Sequence, residues 1–166
     1  MKKRTKRWYK QREDHCIAQL WHKLGIYQYD YLTRDHYERC DGKAFVRGSW
    51  LFYSANVRND PIETYDTHII ERWTIEGLYK HIKEGLLWYI QFFPASDRDR
   101  FDCILYNISP RLRTWEEQGN IHYKISEFNT VTAISTTVKS EKEYKDLKFD
   151  IELDYKVLNI LVEGFR

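Results

Sequence analysis

Glycine and proline are scarce in this 166-residue chain, at 7 and 3 residues, and no stretch is rich in Gly, Ser or Pro. That excludes a low-complexity chain and a flexible linker between domains. No run of about 18 apolar residues exists to span a bilayer, and the charged N-terminus has no apolar stretch of the secretory type. No membrane partner is expected. The three cysteines, Cys16, Cys40 and Cys103, leave one unpaired in any disulfide scheme. This points to a reducing compartment, the cytoplasm, or the nucleus if the source is eukaryotic. Neither G-x-x-x-x-G-K nor G-x-G-x-x-G occurs, and no serine sits in a glycine-flanked elbow. Phosphate-cradling loops and the hydrolase nucleophile therefore drop out.

What is present describes one folded domain. Hydrophobic residues make up 42% of the chain, and the charged 31% is nearly balanced, unlike a disordered chain. Six Trp, 13 Tyr and 8 Phe form an unusually aromatic set. Such rings stabilise cores and interfaces and stack on nucleic-acid bases.

The formal charge of +2 hides an asymmetry. Lys2, Lys3, Arg4, Lys6, Arg7, Lys10 and Arg12 place seven cations in the first twelve residues, with no acid among them. Removing these seven from the 27 basic residues leaves 20 against 25 acidic ones, so the remaining body is formally −5. Residues 1–12 lack apolar periodicity and are expected as a basic mobile arm or the frayed start of a helix, with 13–166 as a single α+β domain.

Within that domain, Ile17, Leu20, Trp21 and Leu24 fall on one helical face, and Gly25 follows as a cap. Residues 44–57 read as a strand or a bent pair, ending in the turn Asn59-Asp60-Pro61. A helix is expected from Asp66 or Thr67, burying Ile75, Leu78 and Ile82, and then a strand over 86–93. Ser96-Asp97 suggests another helix carrying Phe101, Ile104, Leu105 and Ile108, and Ser109-Pro110 a short one closed by Gly119. Residues 121–126 and 149–157 alternate, and 131–138 is rich in β-branched residues, so all three are expected as strands. The fold class is then α+β, with N-terminal and central helices packed on one face of a mainly antiparallel C-terminal sheet.

The basic arm is the foremost functional candidate. Lys2, Lys3, Arg4, Lys6, Arg7, Lys10 and Arg12 would release counterions from phosphates, and the Trp8-Tyr9 pair would stack on unpaired bases. The implied function is a small non-enzymatic accessory factor for nucleic acid. Arg98, Arg100, Arg111 and Arg113, around a helix–helix turn, would either extend the contact or pair with Asp97, Asp99 and Asp102 among them. The alternative is a protein-binding module, such as an inhibitor or antitoxin-like protein of a phage or mobile element. Its patch would be Tyr27, Tyr29, Tyr31 and Tyr37.

Two further patterns concern metals. Cys16, His22, His36 and Cys40 give C-x5-H-x13-H-x3-C, which loosely resembles the small Cys-His-His-Cys fingers of some RNA-associated proteins without their close middle spacing. On one regular helix Cys16 and His22 lie about 240° apart and point in different directions. Asp154-Tyr155-Lys156, beside Asp150 and Glu152, has the acid-x-lysine form of metal-dependent nucleases, a second alternative. The same form recurs at Asp41/Lys43, Glu143/Lys145 and Asp146/Lys148, and alternation alone accounts for Asp150 to Lys156 as a wet strand face. Gly25-Ile26-Tyr27 and Tyr89-Ile90 are too far apart for the GIY-YIG nuclease pattern. His68 and His81 are expected on a helix surface. No catalytic residue, metal or cofactor is therefore expected.

Overall fold

The computed structural model describes residues 4–32, 40–65, 67–96, 99–127, 131–136 and 154–165. The first helix, α1 (Lys6–Leu24), starts where Thr5 takes an extended conformation and its hydroxyl accepts the Trp8 N–H at 3.2 Å. It ends at Gly25, whose φ of +71° is the left-handed cap that glycine adopts without strain. Arg12, Cys16, Ile17, Leu20 and Trp21 form its buried stripe. The helix thus runs through residues 6–12, which the missing apolar period had suggested as an arm. Periodicity is silent there because the residue that continues the stripe is an arginine.

Among the described residues six strands build the main sheet: β1 (Tyr29–Tyr31), β2 (Gly42–Val46), β3 (Ser49–Val57), β5 (Gly85–Pro94), β6 (Arg100–Asn107) and β8 (Asp154–Leu161), adjacent in that order. All pairings are antiparallel except β3 with β5. Between those two, the chain makes the crossover that parallel neighbours require. That crossover carries a short 3-10 helix (Ile62–Thr64), β4 (Thr67–Glu71) and α2 (Arg72–Tyr79), and β4 pairs with β7 (Val131–Thr136) as a separate two-stranded sheet. The β2–β3 hairpin turns through Arg47 and Gly48 at φ of +49° and +81°, the two-residue geometry that matches strand twist.

The α+β class is as expected, and the sheet is mixed but mostly antiparallel. It is drawn from the whole chain and not from its last third, and helices cover both faces. Cys16, Ile17, Leu20 and Trp21 of α1 meet Leu51, Tyr53, Ile90, Phe92, Phe101 and Leu105 on one side. On the other, α2, α3 (Ser109–Glu117) and α4 (Ile121–Ser126) meet Phe52, Leu87, Tyr89, Phe93, Ile104 and Tyr106. No helix among the described residues is long and apolar enough to cross a membrane.

Three elements differ in type from their expected assignment, for related reasons. Residues 100–107 are strand β6 and not a helix. Phe101, Cys103 and Leu105 face the α1 side while Ile104 and Tyr106 face the other, and burial on both sides happens to give helical spacing. Conversely, 121–126 is helix α4: Ile121 and Ile125 are buried one turn apart, and Tyr123 between them is 63% exposed. An i, i+4 pair satisfies both periods. The helix expected from 66 or 67 begins at Arg72, because Thr67–Glu71 pairs with β7; Ile75, Leu78 and Ile82 are buried as expected. Residues 149–153 lie outside the described residues, and in β8 the expected polarity of the faces fails, since Val157 is 52% exposed.

Strand β8 is an edge of the main sheet among the described residues. Val162 N–H donates to Asp99 C=O at 2.7 Å, and this phase of the ladder turns the backbone of Asn159 outward. There the Lys23 ammonium donates to the Asn159 carbonyl at 2.6 Å. A charged side chain on an edge blocks pairing with another chain. Lys23→Ala is expected to promote concentration-dependent self-association by sedimentation velocity; identical behaviour of variant and parent would deny Lys23 this role.

Candidate nucleic-acid interface

The first two turns of α1 carry most of the basic candidates. Lys6 and Arg7 lie in its first turn, which contains no acid, at the positive end of the helix dipole. Cations there are disfavoured by about 0.3–1 kcal/mol each. Their placement thus opposes local stability. Lys6 and Arg7 are exposed and form no ion pair among the described residues.

The remaining candidates divide sharply. Lys2 and Lys3 lie outside the described residues. Arg4 is exposed, with its guanidinium 4.2 Å above the Trp8 ring. Lys10 reaches Asp14 at 3.1 Å and Glu13 at 3.6 Å. Burial alone would lower its pKa, but these two carboxylates more than reverse that, and it lies above the usual lysine value. Its charge is already answered within the fold. Arg12 is only 1% exposed: its Nε donates to Phe165 C=O at 2.8 Å and an Nη to Asn59 Oδ1 at 3.2 Å. It lies over the rings of Phe101 and Trp8, and burial pulls its pKa down. It has no surface left for a phosphate. Trp8 is half-buried between these contacts and Phe165. Of the expected stacking pair, Tyr9, at 44% exposure, is the open ring.

The tyrosine segment adjoins this helix. Tyr31 donates its hydroxyl to Asp14 C=O at 3.2 Å, and the Lys10 ammonium lies 5.6 Å from its ring centre. Tyr29 meets Tyr31 edge-on and is half-buried against the α1 core. Tyr27 is 79% exposed beside a cleft of about 370 Å³, lined by Ala18, Gln19, His22, Ile26, Tyr27 and Tyr29. Tyr37 lies outside the described residues. The two candidate patches, separate in sequence, thus meet at Lys10 and Tyr31.

The metal patterns do not assemble. Cys16 lies in the core beneath α1, whereas Cys40 lies in the core on the opposite face of the sheet. All three cysteines are buried free thiols, and burial pushes Cys16 up to about 12, away from the thiolate that zinc needs. His36 lies outside the described residues. Among those described, no group of three or more His, Cys, Asp or Glu side chains is placed to hold a metal. Asp154 and Lys156 lie on β8, while Asp150 and Glu152 lie outside the described residues. Arg98 lies outside the described residues; Arg100 starts β6 and bonds to Asn159, whereas Arg113 lies on α3 and bonds to Gly85 C=O, so these two form no single cluster.

No protein-family model matches the chain, and no curated protein matches it either.

A polar cluster that sequence reasoning missed lies on the sheet face opposite α1. His68, on β4 and 4% exposed, makes a 2.6 Å hydrogen bond through Nδ1 with the Tyr106 hydroxyl. Beside it, Gln91 donates to Ile69 C=O at 3.2 Å and accepts from Arg58 Nε at 3.3 Å. His68 Nε2 has no hydrogen-bond partner among the described residues. Burial first, and the Arg58 charge second, push the His68 pKa down to about 4. His81 is likewise no simple surface residue, stacking flat on Phe52 at 4.3 Å. Contacts across 38 residues leave no local signal in sequence.

Proposed function

We propose that this protein binds nucleic acid as an accessory factor, contacting phosphates through Arg4, Lys6 and Arg7 at the start of α1, with Tyr9 beside them. The observation that carries this is a cluster of cations at a helix end whose dipole disfavours them, with no acid in that turn. The contact is narrower than the seven cations suggest, because Lys10 and Arg12 serve the fold. It needs no rearrangement to meet an anion, since helix N-termini and cations attract phosphate together.

Lys6→Glu/Arg7→Glu separates binding from stability. Acids in the first turn suit the dipole, so the variant should fold at least as stably as the parent. Its affinity for a labelled oligonucleotide in low salt should fall about tenfold or more, and the salt dependence of log K should flatten by about two units. Unchanged affinity, or binding by the parent that salt does not weaken, would reject this role. A protein-binding role is the second reading, carried by Tyr27 at 79% exposure over its cleft. The same charge reversal would leave it untouched.

A further inference from the structure

We infer that the β2–β3 hairpin is a second contact for nucleic acid and that the strand it accepts is unpaired, with a base stacking on Phe45, which Trp50 braces edge-on. This rests on the nucleic-acid reading above. Phe45 and Trp50 face each other across the hairpin, edge to face with ring centres 5.2 Å apart. Phe45 is 38% exposed and Trp50 is half-buried, its inner side packed on the core. The pair is therefore rigid, and Phe45 is its open ring, since Trp50 is packed on the core and capped by the Lys43 ammonium. Two χ angles per ring and a fixed backbone mean little ordering is needed when a base stacks.

Cations surround the pair. The Lys43 ammonium lies 4.5 Å from the Trp50 ring centre. Arg47 is exposed at the tip of the turn, and Arg113 bonds to the carbonyl of Gly85, the β5 residue in register with Trp50. None of the three pairs with a carboxylate among the described residues. Asp30 stands opposite Lys43 across β1 and β2, and yet the ammonium lies over the ring. Uncompensated cations around an exposed, braced ring fit a chain of phosphates with π faces between them. A duplex offers the phosphates but keeps its bases stacked inside, out of reach of a side chain standing on a sheet face. Neither ring is in the twelve residues that dominate the chain's basic character, so composition gives no hint of this surface.

The test compares labelled oligothymidylate with a mixed-sequence duplex of the same length, read by fluorescence anisotropy. Phe45→Ala is expected to lower affinity for the single strand about tenfold while leaving duplex affinity unchanged, and Phe45→Tyr to keep most of it. Arg47→Gly suits the left-handed backbone at that position and should hold the turn while lowering the single-strand salt slope by about one. Circular dichroism and thermal melts confirm that each variant folds. If Phe45→Ala binds the single strand as the parent does, the hairpin contact is overturned and the α1 contact stands. Parent affinity that is equal for duplex and single strand, or displacement by base-free dextran sulfate that Phe45→Ala leaves unaltered, overturns the stacking role. A parent that binds neither nucleic acid overturns this inference and the reading beneath it.

Discussion

Arg12→Ala is expected to destabilise the fold by about 3 kcal/mol, the largest effect of any single change at the basic residues. The guanidinium is a three-way joint. It ties α1 to Phe165 just beyond β8 through Nε, and to Asn59 just beyond β3 through an Nη, while its central carbon lies over the Phe101 and Trp8 rings. Alanine leaves the Phe165 carbonyl and the Asn59 amide oxygen without this donor, at about 1–3 kcal/mol for each that stays dry. It also opens a void where the side chain had packed. Lysine is a poor substitute, because one ammonium does not reproduce the planar fork that meets two acceptors and two rings. Methionine restores volume but not the hydrogen bonds, and should fall between alanine and the parent. Urea denaturation at pH 7 measures the series, and a loss below about 1 kcal/mol for Arg12→Ala would show that Arg12 is no anchor. The physical consequence is that this residue, charged like its neighbours, belongs to the core.

Acid is expected to destabilise the protein through His68, by up to about 3 kcal/mol less what solvent screening removes. Unfolded, its imidazole titrates near 6.5; folded, it is held down to about 4. Between those values the unfolded chain binds more protons, so stability falls as pH drops from 6.5 towards 4. Above 6.5 both states are neutral and His68 adds no slope. Burial beside Phe93 disfavours the imidazolium first, and Arg58 adds like-charge repulsion. The histidine holds β4 to the main sheet through Tyr106, with Gln91 bonding the next residue's carbonyl, so protonation acts on the seam between the two sheets. His68→Asn supplies an amide near the Nδ1 position and does not titrate. It should be less stable at pH 7 but lose less on going to pH 4.5. If parent and variant show the same pH dependence, the acid sensitivity arises elsewhere.

Much of the architecture was legible because its signals are local. The apolar stripe from Ile17 to Leu24 and the glycine after it mark the second half of α1. Gly48 marks the β2–β3 turn, and Pro110 and Gly119 bracket α3. The dense apolar run 86–93 is β5, central in the sheet and covered on both faces. These depend on capping, steric limits on φ and one-sided burial, which act within a few residues. Where burial is two-sided or intermittent, the period misleads, as β6 and α4 demonstrate.

The charge of the candidate surface was legible, but not which residues expose it. Composition alone placed an unopposed positive cluster in the first twelve residues, since charge is counted without knowing the fold. Which of those charges face water was decided by distant partners. Arg12 is removed from the surface by a contact 153 residues away, Lys10 is matched by Glu13 and Asp14 once α1 brings them to one side, and Trp8 becomes an anchor on Phe165. Tyr31 joins Lys10 only because β1 lies against α1. Sequence by itself thus determined the α+β class, the ends of several elements and the sign of the charge at the N-terminus. Tertiary structure decided the parallel β3–β5 pairing, the two-sided core and the split between structural and available cations. The reason is that hydrogen bonding and hydrophobic periodicity act locally, whereas burial depends on which segments meet.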